Sequence, residues 1–167
     1  TGAKQHAGSP DIAARTGFAR VVSTKELATL LASQPGARLL ASPSPAPEVL
    51  RAAAGGRETG SAVEAIHQLR MIKSPAEIAM VQHAADVSIE AHKAAWRRMG
   101  PGLFEYQVAA SMGFVYFDAG CEHHAYPPIV ASGQNAIVLH YQRNKRRMDA
   151  GDLLLMDVGA ECGMYAA

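Results

Sequence analysis

A chain of 167 residues with a formal net charge of +1 and 19% charged residues, mixed evenly in sign, carries no long basic or acidic block. That argues against a nucleic-acid surface and an acidic tail. Hydrophobic residues make up 49%, enough for a sizeable core, yet no apolar run approaches the roughly 18 residues of a membrane span. The two cysteines, Cys121 and Cys162, match no zinc spacing and are too few for a disulfide framework, so a reducing, cytoplasmic setting is expected.

The chain opens on Thr1 without a signal-peptide pattern and stops at Tyr165-Ala166-Ala167 in an expected strand, so both ends read as cut. Asp11 to Arg15 reads as a short helix ended by Gly17, and Val21 and Val22 are β-prone. Ser23 or Thr24 is a fitting N-cap for a helix over Lys25 to Ala32, with Leu27, Leu30 and Leu31 at helical spacing. Arg38 to Ala41 reads as a strand, followed by the breakers Ser42 to Pro47 and a short helix over Glu48 to Ala54. This alternation indicates the remainder of an α/β domain. It holds no phosphate-binding glycine motif, and its one histidine, His6, reads as a solvated loop residue.

Ser61 to Leu69 is expected as a linker helix. Ser74-Pro75-Ala76-Glu77 then joins an N-cap serine, a proline at the first helical position and a capping-box glutamate. The helix it starts should run to Gly100-Pro101-Gly102, about 24 residues or roughly 36 Å. Its buried face is expected at Ile78, Val81, Ala85, Ile89 and Trp96. His83 and His92 stand nine apart, outside the pairing distances of a helix, and read as surface or core-edge residues. Phe104 to Ala119 forms a second helix with Val108, Met112 and Val115 inward and Gly120 beyond its end. Cys121-Glu122-His123-His124 reads as a loop: adjacent histidines in a strand point to opposite faces, and no third ligand lies at a suitable spacing.

Ile129 to Ala131 and Ala136 to Leu139 are expected as two strands around a Gly133-Gln134-Asn135 hairpin loop. Taken alone, His140 at the end of the second reads as a structural histidine. Last comes Asp149-Ala150-Gly151-Asp152, a turn, and the apolar run Leu153 to Gly159 with one carboxylate inside it. Alternation puts Leu153, Leu155 and Asp157 on one face and Leu154, Met156 and Val158 on the other. A carboxylate on an apolar face needs a partner, and a metal ion is one. Taken alone, Asp157 reads as the residue that ends the strand.

The motifs gain meaning in combination. Arg70-x-Ile72-Lys73-Ser74-Pro75-Ala76-Glu77-Ile78, Pro101-Gly102-x-x-Glu105-Tyr106 and Tyr126-Pro127-Pro128-Ile129-Val130-Ala131-Ser132-Gly133 follow one another. Leu139-His140-Tyr141, Asn144, Gly151-Asp152-Leu153-Leu154-Leu155-x-Asp157-x-Gly159 and Tyr165 complete the series. It resembles the proline-specific aminopeptidases and prolidases of the pita-bread metallopeptidase family over about residues 67–167.

The resemblance implies an α/β (α+β) chain. Residues 1–66 would be the C-terminal part of the family's N-terminal domain, and residues 67–167 the first half of the pita-bread catalytic domain. It implies two divalent metal ions in the whole protein, manganese foremost, with cobalt or zinc as alternatives. Asp157 matches the first metal-ligand aspartate. His140 matches the active-site histidine that contacts the substrate and stabilises the developing tetrahedral intermediate. The second aspartate belongs directly after Ala167, and the remaining ligands further on. If Cys162-Gly163 is a two-residue turn, Asp157 lies directly opposite that second aspartate, so the two carboxylates could hold paired cations. The implied reaction is attack of a metal-activated water on the peptide bond before proline. The implied partner is a peptide with proline second, with homo-oligomers expected of the full-length protein. This chain alone is expected to be inactive. A metal-free amidinohydrolase of the same fold, a non-catalytic pita-bread binding module and an inert fragment remain alternatives.

Overall fold

The structure is a computed structural model that describes residues 9–42 and 47–167. His6 and most of the Ser42–Pro47 breaker run lie outside the described residues. The chain divides into two compact units, Thr1–Ile72 and Lys73–Ala167.

In the first unit, helix α1 (Ile12–Thr16) ends at Gly17, whose φ of 72° is the left-handed conformation that stops a helix. Ser23 caps a 3-10 turn, Thr24–Glu26, in a capping box with Glu26, and the turn runs into α2 (Leu27–Ala32). Strand β1 (Leu39–Ala41), helix α3 (Glu48–Ala53) and strand β2 (Thr59–Ser61) follow, with β1 and β2 parallel. A parallel pair joined through a helix is the α/β arrangement read from the sequence. Helix α4 (Val63–Met71) closes the unit.

In the second unit, α5 (Pro75–Arg98) is the 24-residue helix expected, and its capping box is present: Ser74 Oγ accepts from Glu77 N, and Glu77 accepts from Ser74 N. Helix α6 (Glu105–Asp118) packs along it, with Val108 and Met112 fully buried and Gly120 at φ 84° beyond its end. The strands are β3 (His123–His124), β4 (Ile129–Ser132), β5 (Leu154–Asp157), β6 (Ala160–Cys162) and β7 (Tyr165–Ala166). They form a β3-β6-β7 sheet and a β4-β5 pair, all antiparallel. Ser88 on α5 accepts from Ala160 N at 2.9 Å, and the Tyr165 hydroxyl donates to Glu77 at 3.0 Å, so α5 is tied to both ends of the β6-β7 hairpin.

Four local expectations are corrected. The buried face of α5 is Ala84, Val87, Ser88, Ala91 and Ala95, whereas Ile78, Ile89 and Trp96 are more than half exposed. Alanine and serine at these spacings let α6 and β6 approach closely, so small size, not apolar bulk, marks the contact face. Ala136 to Leu139 is not a strand: Gly133–Ile137 is a 3-10 turn, and β4 takes β5 as its partner instead. The β6-β7 turn is Gly163-Met164, both with positive φ (56° and 69°), as a tight hairpin with right-handed twist requires. Cys162 therefore pairs with Tyr165 and Glu161 with Ala166, and Ala167 N bonds Ala160 O. Continued by one residue, this register sets Gly159, not Asp157, opposite the position after Ala167. Finally, His123-His124 is strand rather than loop, because β6 pairs with it.

Candidate active site

Asp157 is the last residue of β5 and pairs in register with Ile129 of β4. The alternation expected of β5 is observed: Leu154 and Met156 turn toward the core and Val158 is buried, while Leu153, Leu155 and Asp157 are exposed. The buried set packs with α5 and α6, so the carboxylate stands on the face that these helices leave open. There the Tyr126 hydroxyl donates to Asp157 Oδ1 at 2.6 Å. Partial burial, and then the Asp157 carboxylate it faces, push the Tyr126 phenol up to about 12, so it stays a donor throughout the neutral range.

His140 lies on the turn after the 3-10 segment, exposed, with φ 52°. A positive φ in a residue with a side chain is uncommon and needs support from its surroundings. Glu105 supplies it. This first residue of α6 is fully buried, and its carboxylate accepts from residues that flank or belong to the His140 segment. Oε1 accepts from Ser132 N (2.7 Å), Ser132 Oγ (2.8 Å) and Asn135 Nδ2 (3.1 Å). Oε2 accepts from the Tyr141 hydroxyl (2.8 Å) and Arg146 N (2.9 Å). Burial pushes this carboxyl up, but the hydrogen bonds from Asn135, Ser132 and Arg146 outweigh it and hold it below the usual 4.5.

The rest of the segment is pinned in the same way. Asn144, buried and at φ 48°, accepts from Val130 N at 3.0 Å and donates to Pro128 O at 2.8 Å. Arg146 bridges Ser132 Oγ, Asp149 and Asp152, and the Arg146 guanidinium holds the Asp152 carboxyl down. At Gly133, φ is 53° and an added Cβ would fall 2.5 Å from Asp152 Oδ1 and 3.1 Å from Arg146 Nη1, so a side chain there would strain the backbone and displace this ion pair.

These contacts give roles to Glu105, Tyr126 and Asn144, which the sequence offered only as letters within longer motifs. Their partners lie 14 to 41 residues away, beyond what local spacing reveals.

Asp157 is not part of a preformed metal cage. Among the described residues, the one group of three histidine, cysteine or acidic side chains close enough to share a cation is His83, Cys121 and Cys162, elsewhere in the unit. A single carboxylate with one oxygen engaged by Tyr126 does not fit a two-metal centre by itself. Cys121 and Cys162 are bonded as a disulfide, against the reducing setting expected from their number and spacing. The β3-β6 pairing brings them together across 41 residues.

The profile of metallopeptidase family M24 matches residues 79–167, just over half the chain. The chain belongs to this family. The Xaa-Pro aminopeptidase of Escherichia coli (strain K12) is 38% identical over 101 residues, covering 60% of this chain and 23% of that protein. The mitochondrial intermediate cleaving peptidase 55 of Arabidopsis thaliana is 34% identical over 101 residues, covering 60% and 20%. Among solved structures, aminopeptidase PepP of Pseudomonas aeruginosa superposes with a TM-score of 0.83 at 29% identity, over 97% of this chain and 40% of that one. A variant of Escherichia coli aminopeptidase P in complex with substrate gives 0.83 at 27% identity, over 98% and 41%. The chain thus spans under a quarter of the length of these two curated relatives and about two fifths of the two solved chains. Its mixed α/β fold is that of the matching part of the pita-bread aminopeptidases.

Proposed function

We propose that this M24 chain is part of a metalloaminopeptidase that hydrolyses the N-terminal bond of peptides with proline second. Residues 1–66 are the end of an N-terminal domain and residues 67–167 the first half of the catalytic domain. The division into compact units at residues 72 and 73 and the superposition over nearly the whole chain support this layout. The observation that carries the reading is the placement of Asp157 on the open face of β5, oriented by Tyr126, within the segment that matches the M24 family.

In this reading Asp157 contributes one metal ligand, and His140, on the turn supported by Glu105, contacts the substrate carbonyl. A pair of divalent ions, manganese foremost, would supply activation of the attacking water in the complete enzyme, with Asp157 among the residues that would hold them. The steps open to this chain's own residues are narrower. Tyr126 fixes one oxygen of Asp157 and leaves the other free to face a cation. The Glu105 network holds the backbone on both sides of His140, so the imidazole is presented without reorganisation of its loop. A cytoplasmic setting and self-association of the full-length protein belong to the same proposal. No helix among the described residues is long and apolar enough to cross a membrane.

The test is turnover of an Xaa-Pro peptide by the purified chain and by a chain extended through the rest of the M24 domain, with manganese added to both. The extended chain is expected to turn over the peptide and this one not. Turnover by the 167-residue chain would contradict the account.

A further inference from the structure

The group formed by His83, Cys121 and Cys162 lies outside the Asp157 site. Cys121 lies just beyond the Ala119-Gly120 end of α6, Cys162 ends β6, and His83 projects from α5, so three separate segments converge. One ligand atom from each, two sulfurs and a ring nitrogen, lie within 4.8 Å of one another. Both cysteines are 3% exposed, while His83 is open to solvent and gives the group a route of entry.

The supports are fixed without the disulfide. Cys121 N bonds Tyr116 O at 3.0 Å, β6 is paired on both sides, and Ser88 of α5 accepts from the β6 backbone. Met80, one helical turn before His83, reaches the turn that follows Cys162: a Cβ built on Gly163 would fall 2.6 Å from its terminal methyl. Two thiolates and a neutral imidazole are a donor set suited to zinc-type cations, and carboxylates have no place in it. With metal–sulfur distances near 2.3 Å and metal–nitrogen near 2.0 Å, tetrahedral ligand atoms stand about 3.5–3.8 Å apart. The imidazole and the sulfurs need to shift by only about an ångström to meet that spacing once the sulfurs are no longer bonded to each other.

We propose that reduction of the Cys121–Cys162 bond opens a Cys2His site for a borderline-soft divalent cation such as zinc, distinct from any ion at Asp157. In the first step a dithiol donor gives two electrons and two protons, the S–S bond breaks to two thiols, and the donor leaves as its own disulfide. In the second, the cation displaces both thiol protons to solvent and takes the two thiolates and a His83 nitrogen, with water in the fourth position. Disulfide and metal exclude each other, so the site is redox-gated. The disulfide joins the segment after α6 to β6, and the metal state adds a ligand bond from His83 of α5, which already hydrogen-bonds the hairpin through Ser88 and Glu77. This proposal does not depend on the peptidase reading.

Cobalt(II) titration of the purified 167-residue chain tests it. One sample is kept oxidised; the other is reduced with a trialkylphosphine, which takes up water oxygen as its oxide, and is desalted under anaerobic conditions. The reduced chain should bind about one equivalent, with a thiolate-to-cobalt charge-transfer band and the visible bands of a tetrahedral centre. The oxidised chain and a C121S/C162S variant should show neither. His83→Ala should weaken cobalt binding at least about tenfold and shift the visible bands, and Asp157→Asn should leave them unchanged. Absence of a thiolate band in the reduced chain, an equal band in the oxidised chain, or a His83→Ala titration identical to that of the parent would overturn the proposal. So would a reduced chain that loses its folded far-UV spectrum and does not regain it with cobalt.

Discussion

The Tyr126 hydroxyl and Asp157 Oδ1, 31 residues apart in sequence, meet at 2.6 Å on the open face of the β4-β5 pair. The hydrogen bond fixes the rotamer of the one carboxylate here that the M24 reading assigns to metal. An outer partner of this kind usually costs about 10–100-fold in metal affinity or activity when removed. Tyr126→Phe in the extended chain is expected to lose manganese affinity in that range. Its phenol is independently visible. A spectrophotometric titration of the present chain should show Tyr126 and the buried Tyr116 ionising near 12, and the variant should lose one of these late-titrating groups. Both raised values stabilise the fold below the ordinary tyrosine value of 10.0, and this contribution is lost as pH climbs from there toward 12.

Glu105 gives the second prediction. Its Oε2 accepts from the Tyr141 hydroxyl and Arg146 N, and glutamine presents an amide donor to one of the two oxygen positions. Glu105→Gln should destabilise the second unit by about 2–4 kcal/mol in urea unfolding, since hydrogen bonds to a buried charge are lost. The pH dependence has a definite sign. The folded carboxyl titrates below 4.5, so its contribution is complete above that value and falls away as pH drops through the lower folded value. The variant should lack this acid-side loss.

The face of α5 yields a third. Ala91 is fully buried in the core that α5 shares with α6 and β6, whereas Ile89 is 52% exposed. Ala91→Leu should cost about 1–3 kcal/mol by overpacking. Ile89→Ser should stay within about 0.5 kcal/mol, as surface changes do. A reversed order in chemical denaturation would restore the bulky face as the contact face.

These cases show where the sequence was sufficient. The ends of α5 were legible because Ser74, Pro75 and Glu77 act within one turn and the glycines at 100 and 102 act at the other end. The alternation of β5 was legible because side-chain direction has a period of two. The buried face of α5 was not, since the alanine stripe becomes a contact face only when α6 lies on it. Nor was the partner of β4: the Glu105 hydrogen bonds wind Gly133 to Ile137 into a 3-10 turn across distances that no local pattern encodes. The order of motifs nominates His140 and Asp157, whereas the hydrogen bonds of Glu105 to the residues around His140 and of Tyr126 to Asp157 are visible only in three dimensions. The cysteine pairing followed from a β3-β6 register that short, histidine-bearing strands do not announce.

The most direct test of the central claim is the manganese content of the extended chain, with and without Asp157→Asn, measured alongside hydrolysis of an Xaa-Pro peptide. The account predicts that the parent binds a pair of ions and turns over the peptide. The variant should lose at least one ion and more than about a hundredfold in activity, beyond what removing an outer hydrogen-bond partner costs. A variant that keeps the full metal content and the parent's turnover would contradict it.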